Sequence, residues 1–127
     1  MQNLRYVGNN LFVEKLSIKN ILKKNKTPFY IYSESQIAFN FLKFANTFKK
    51  TDPLICFAAK SNSNLNILRV LGKLGAGADV VSGGELLKAL KAGIRPNKIV
   101  FSGVGKTEEE LKIAINKKIL LINCESE

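Results

Sequence analysis

Histidine is absent from this chain. That excludes histidine-based zinc sites and Ser–His or Cys–His catalysis within the segment. Only two cysteines occur, Cys56 and Cys124, each within or beside an apolar run. Both read as small reduced core residues, which fits a cytoplasmic setting and rules out a disulfide scaffold. No apolar stretch is long enough to span a bilayer, and none near the start resembles a secretory signal. Arginine is scarce too. Of 20 basic residues only Arg5, Arg69 and Arg95 are arginines, against 10 acidic ones. The net charge of +10 therefore comes mainly from scattered lysines. Nucleic-acid recognition favours arginine forks and clustered patches, so this excess reads as solvated surface and not as a nucleic-acid site.

What remains is an ordinary globular composition, 46% hydrophobic and 24% charged over 127 residues, enough for one domain with a real core. From Pro28 onward one unit repeats: short apolar strand, polar turn, amphipathic helix. The spacing predicts strands at Phe29–Tyr32, Leu54–Ala59, Ala78–Val81, Ile99–Ser102 and Ile119–Asn123. Their starts lie about 20 to 25 residues apart, as βα units require. Ser33 with Gln36, Ser82 with Glu85 and Thr107 with Glu110 have capping-box spacing. Asn64 suits the N-cap of a helix over Leu65–Leu74, and Gly75 and Gly93 stand where helices should end. Residues 1–27 lack this pattern and hold one strand-like piece, Leu11–Val13. They form a separate N-terminal segment, with 28–127 as the repeating unit. Repeated βα units imply parallel strands with right-handed crossovers, so an open doubly wound sheet or a (β/α)8 barrel.

Two glycine-rich stretches resemble nucleotide motifs and fail. Gly75-Ala-Gly77-Ala-Asp-Val80 precedes its strand and has valine at the third glycine position. Ser102-Gly-Val-Gly105-Lys106-Thr107 has Val100 where a P-loop needs glycine, and Glu108–Glu110 would repel a phosphate.

The most informative segment is Leu54-Ile-Cys-Phe-Ala-Ala-Lys60-Ser-Asn-Ser-Asn64. An apolar run ends on one lysine followed by small polar residues. Lys60 is expected at a strand's C-terminal end beside the apolar core. Desolvation there would favour the free amine that Schiff-base chemistry needs. Asp79, between Ala78 and Val80, opens its strand and needs a partner if buried; a lysine ending the neighbouring strand could serve, and a turn-capping role is the plainer alternative. Glu85 reads as a capping residue, and Ser61 and Ser63 as satisfying turn amides.

Taken together, Phe57-Ala-Ala-Lys60-Ser-Asn62, Gly75-Ala-Gly-Ala-Asp79-Val-Val-Ser-Gly-Gly-Glu85-Leu86, Ile99-Val-Phe-Ser-Gly-Val-Gly-Lys-Thr-Glu-Glu-Glu-Leu111 and Ile122-Asn-Cys-Glu-Ser126 resemble the diaminopimelate decarboxylases. The Lys60 motif alone points to the wider group of pyridoxal-phosphate decarboxylases with an alanine-racemase-like barrel. The resemblance implies an α/β fold, a partial (β/α)8 TIM barrel with about five βα strands present, and places residues 1–27 with the β-domain of such enzymes. It implies that pyridoxal 5'-phosphate is carried on Lys60, with Ala58 packing near the cofactor and Asp79 close to the amine, and no metal. The implied activity is decarboxylation of the amino-acid substrate meso-2,6-diaminopimelate to L-lysine and carbon dioxide by a cytoplasmic homodimer, with neither nucleic acid nor membrane as partner. Decarboxylases of ornithine, arginine or a carboxylated polyamine, or a non-catalytic βα binding protein, are the other readings. Residues 1–127 correspond to the N-terminal third of such an enzyme. By themselves they are expected to be inactive and prone to aggregate.

Overall fold

The computed structural model describes residues 3–126. An antiparallel meander comes first, with β1 at Leu4–Val7, β2 at Asn10–Val13 and β3 at Leu16–Ser17, in the order β1-β2-β3. The pair Val7↔Asn10 leaves a two-residue turn, Gly8-Asn9, and Gly8 takes the positive φ of 57° that such a turn demands. The expected strand-like piece Leu11–Val13 falls within β2; β1 carries no apolar alternation to mark it, since its residues are all exposed. A short helix, α1 (Ile18–Leu22), follows, capped by the Ser17 hydroxyl.

The predicted strand Phe29–Tyr32 does not form. The segment is extended but pairs with no strand among the described residues, and Tyr30 is 90% exposed. Its aromatic and β-branched residues favour a strand, yet a strand exists only with a neighbour to complete its hydrogen bonds. Ser33 then caps α2 (Glu34–Thr47).

The second sheet is parallel and runs β4 (Cys56–Ala58), β5 (Gly77–Val80), β6 (Ile99–Phe101) and β7 (Leu121–Ile122), in that order. The strands fall where the apolar runs predict, but shorter. The predicted Leu54–Ala59 shrinks because Ala59 already opens a 3-10 turn, Ala59–Ser61. Helices α3 (Leu65–Lys73), α4 (Gly83–Lys91) and α5 (Glu108–Asn116) connect consecutive strands. Asn64 caps α3, and Gly75 and Gly93, at φ 95° and 90°, end α3 and α4 as expected.

Side chains alternate strictly across this sheet. Ala78, Val80, Ile99 and Phe101 are fully buried against Leu68 of α3, Leu86 and Ala89 of α4, and Ala114 of α5. All three helices therefore cover one face. The other face carries Ala58, Asp79 and Val100 side by side in register, each half-buried. A smaller cluster, Ile67, Leu71 and Ala76, packs against Ile37 and Phe41 of α2.

The first sheet is tied to α2 through Glu14, at the β2–β3 turn with φ 53°. Its Oε1 accepts from Ser33 Oγ (2.7 Å), Ser35 N (3.0 Å) and Ser35 Oγ (2.8 Å) at the start of α2. Asn3 Nδ2 adds a bond to Gln36 Oε1 at 3.1 Å. The Ser33 hydroxyl first, then the Ser35 amide and the Ser35 hydroxyl, stabilise the Glu14 carboxylate and hold its pKa below the ordinary 4.5. A lowered folded-state pKa means this tie is intact above the ordinary value and is lost as pH falls through the lowered one. The Ser35 amide resonance, followed by NMR into acid, should therefore move in a single step below pH 4.5. In Glu14→Gln that step should be missing; its persistence would assign it to another group.

Gly77 begins β5 where no side chain fits. A Cβ there would stand 2.3 Å from the Lys98 carbonyl oxygen and 2.7 Å from Cys56 Sγ. Gly77→Ala should push β5 from its neighbours and destabilise the protein by about 1–3 kcal/mol, read from urea unfolding. An unchanged midpoint would show that the strands can part without loss.

Candidate active site

Lys60 lies just past β4, in the Ala59–Ser61 turn. The turn is pinned on both sides. Ala59 is fully buried, Ser61 Oγ donates to the Ala58 carbonyl at 2.7 Å, and Asn62 N donates to the Ala59 carbonyl at 3.1 Å. Asn62 Oδ1 accepts from Asn64 N at 3.1 Å, and Asn64 in turn caps α3. The backbone that carries the lysine is thus fixed by its own local sequence. Lys60 itself is exposed. The described residues do not supply the apolar enclosure expected from the sequence, because the helices lie on the opposite face of the sheet.

Asp79 does not open its strand. It is the third residue of β5, paired with Ala58, the last residue of β4. Both therefore sit at the C-terminal end of the sheet, the end where Lys60 stands. The Asp79 carboxylate is half-buried and takes Ser102 Oγ as donor at 2.6 Å through Oδ1. It makes no ion pair with Lys60 among the described residues. Ser102 Oγ accepts in turn from Asn123 Nδ2 at 2.9 Å. Ser102 and Asn123 were missed in the sequence, although each ends an apolar strand on a polar residue, as Lys60 does.

Cys56 shares the Asp79 face and is half-buried. Burial, reinforced by the Asp79 charge and offset by Lys98, pushes its thiol pKa up. Cys124, expected in the core, is exposed. The strand β7 stops at Ile122, so residue 124 lies past the ladder that would have buried it.

The neighbouring loops spend their anionic groups on structure. Glu110 completes the capping box with Thr107, and its Oε1 accepts from Gly83 N of α4 at 2.6 Å. These two amide bonds, that of Thr107 first, hold its pKa below the ordinary value. Of the three capping boxes that the spacing suggests, only this one is reciprocal. The Glu85 carboxylate accepts from Val81 N at 3.0 Å, and Gln36 Nε2 reaches Asn40. Ser63 accepts from Lys88 Nζ at 2.9 Å instead of serving a turn amide. In the glycine-rich 102–107 loop, Lys106 bonds the Gly103 carbonyl and pairs with Glu125 at 2.8 Å, while Gly103 N donates to Glu125 at 2.9 Å. The Lys106 bond, ahead of the Gly103 amide, keeps the Glu125 pKa low. Lysine and amides that could cradle a phosphate are already engaged.

Among the described residues no group of histidine, cysteine, aspartate and glutamate side chains could hold a metal ion, and no helix is long and apolar enough to cross a membrane. An open cleft of about 460 Å³ runs beside β4, lined in part by Tyr32, Ala58, Ser61 and Asn62. An accessible primary amine and a carboxylate on the adjacent strand stand at one end of the sheet, and the small Ala58 side chain lines the cleft.

Residues 34–127 match the pyridoxal binding domain of the pyridoxal-dependent decarboxylases. The chain belongs to that family. Within it, the chain is 48% identical over 123 residues to a diaminopimelate decarboxylase of Aquifex aeolicus, covering 97% of this chain and 29% of the relative. The crystal structure of Helicobacter pylori diaminopimelate decarboxylase complexed with L-lysine superposes with a TM-score of 0.82 at 49% identity, covering 85% of this chain and 27% of that one. The M. jannaschii diaminopimelate decarboxylase in co-complex with L-lysine gives a TM-score of 0.92 at 36% identity, covering 98% and 30%. The chain thus spans about 30% of the length of the relatives it matches.

The two cysteines should differ sharply toward iodoacetamide. Cys124 should alkylate first on exposure, and Cys56 should lag until higher pH supplies its thiolate. Asp79→Asn should narrow the gap by removing a charge that opposes that thiolate. Mass mapping of the time course checks both statements, and equal rates would contradict the raised Cys56 pKa.

Proposed function

We propose that residues 28–127 form the first part of the (β/α)8 barrel of a pyridoxal-phosphate decarboxylase that converts meso-2,6-diaminopimelate to L-lysine and carbon dioxide. The observation that carries this reading is the convergence of Lys60 and Asp79 on one end of a parallel sheet, in a chain that matches diaminopimelate decarboxylases over nearly its whole length. The strand order β4-β5-β6-β7 never reverses, and the three connecting helices cover one face. That winding supports a barrel and not a doubly wound sheet, which needs a switch point. The polar, helix-free face becomes the barrel interior. Residues 1–27, with their own antiparallel sheet, belong with the β-domain.

In this reading the Lys60 amine would hold the cofactor, and the same nitrogen, when free, would carry the proton that the reaction returns. Ala58 keeps the adjoining position small, and Asp79 places a negative charge beside the lysine nitrogen. Bound pyridoxal phosphate supplies an electron sink for the pair left when carbon dioxide departs. Among the described residues Lys60 is exposed and nothing excludes water from its amine, so residues 1–127 by themselves should not decarboxylate. The complete enzyme is a cytoplasmic homodimer.

The test is carbon dioxide release by the full-length gene product from diaminopimelate, lysine, ornithine and arginine. Diaminopimelate should be turned over, and Lys60→Ala should lower the rate by on the order of 10³-fold or more while abolishing the cofactor's visible band. Release from ornithine or arginine with none from diaminopimelate would transfer the chain to another branch of the family.

A further inference from the structure

We infer that Ser102 and Asn123 are positioning residues that lock the Asp79 carboxylate at the strand ends beside Lys60, an inference that rests on the function proposed above. The three side chains come from three consecutive strand ends. Asp79 is in β5, Ser102 directly follows β6 and Asn123 directly follows β7. Two backbone bonds bring them level. Ser102 N donates to the Val80 carbonyl at 2.8 Å, and Asn123 N donates to the Phe101 carbonyl at 2.9 Å. The ladder is thus carried one residue beyond each strand, and the polar side chains fall on the Asp79 face.

The polarity of the chain of hydrogen bonds is forced. Asn123 Nδ2 can only donate, so Ser102 Oγ accepts from it at 2.9 Å. The single hydroxyl proton of Ser102 is then left for Asp79 Oδ1, at 2.6 Å, a length typical of a charge-assisted bond. Oδ1 is held, while Oδ2 takes no donor among the described residues and is left for a cation at the sheet's end. Cys56 on β4 feels the Asp79 charge, Lys60 stands past the end of β4, and Lys98, before β6, bonds the Gly75 carbonyl at the sheet's other end; β6 and β7 contribute the neutral Ser102 and Asn123. Lys60 is the cation at that end. Without Ser102 the carboxylate is free to rotate, and its charge is no longer fixed with respect to the lysine nitrogen.

The test is a pH titration of the visible absorbance of the full-length, pyridoxal-phosphate-loaded protein, with kcat and KM measured alongside. Asp79→Asn should lower the midpoint of the band by about 1 pH unit or more, because the protonated lysine nitrogen loses its counter-charge. Ser102→Ala should move it part of the way in the same direction and lower kcat more than KM. Ser102→Thr, which keeps the hydroxyl, should restore the original midpoint. Asn123→Ala, at an exposed position, removes the donor to Ser102 and should give a smaller shift of the same sign, and an unchanged far-UV circular dichroism spectrum for each variant checks that the fold is kept. If Asp79→Asn moves the midpoint while Ser102→Ala and Asn123→Ala do not, the relay is refuted and the proposed function stands. If Asp79→Asn leaves it unmoved, the carboxylate does not act on the lysine and the relay falls with it. If the unaltered protein shows no visible band with pyridoxal phosphate, the functional reading itself is lost and the relay with it.

Discussion

A slip of β5 by one residue against β4 would drive the Asp79 carboxylate into the space held by Leu68, Leu86 and Phe101 and expel Ala78 and Val80 from the core. The cost of burying that charge unpaired keeps the register Ala58↔Asp79↔Val100 in place. Everything else at the sheet's C-terminal end follows from it. With Ala58 beside Asp79, Lys60 comes two residues past the same level. Ser102 and Asn123, each one residue beyond its own strand, then reach the carboxylate in sequence. Gly77 serves the same register from the other end, since only a residue without Cβ lets β5 approach the Lys98 carbonyl and Cys56 this closely.

The single-sided placement of the helices explains the chain's uneven burial. The helix face is sealed by fully buried Phe101, Leu68, Leu86, Ile99 and Val80. The opposite face is no more than half-buried, which is how a lysine and a carboxylate can be held there at modest cost. The helix α2 has no fully buried residue and leaves Phe39 and Phe44, and its cap residue Phe48, exposed; Ile37 and Phe41 pack it against Ile67 and Leu71 of α3. Its N-terminus is secured from elsewhere, by Glu14 at the β2–β3 turn of the first sheet. The same economy governs the other acids. Glu85, Glu110 and Glu125 are spent on backbone amides of the loops around the site, which leaves Asp79 as the carboxylate on the inner face.

What the sequence by itself determined is the local part of this protein. Helix starts at Ser33, Asn64, Ser82 and Thr107, glycine-ended helices at Gly75 and Gly93, and four parallel strands could be read directly, since each rests on residues a few positions apart. The motif around Lys60 and the family it indicates were legible for the same reason. Tertiary structure decided what depends on partners distant along the chain. Phe29–Tyr32 has strand-forming residues and no neighbour to pair with. Cys124 has an apolar run before it and no ladder around it. Asp79, read as opening its strand, belongs to the strand's far end, because β5 begins at Gly77, where a close approach replaces a side chain. The Asp79–Ser102–Asn123 chain was invisible because its members stand 23 and 21 residues apart, and only the register of parallel strands brings three such positions within hydrogen-bonding reach.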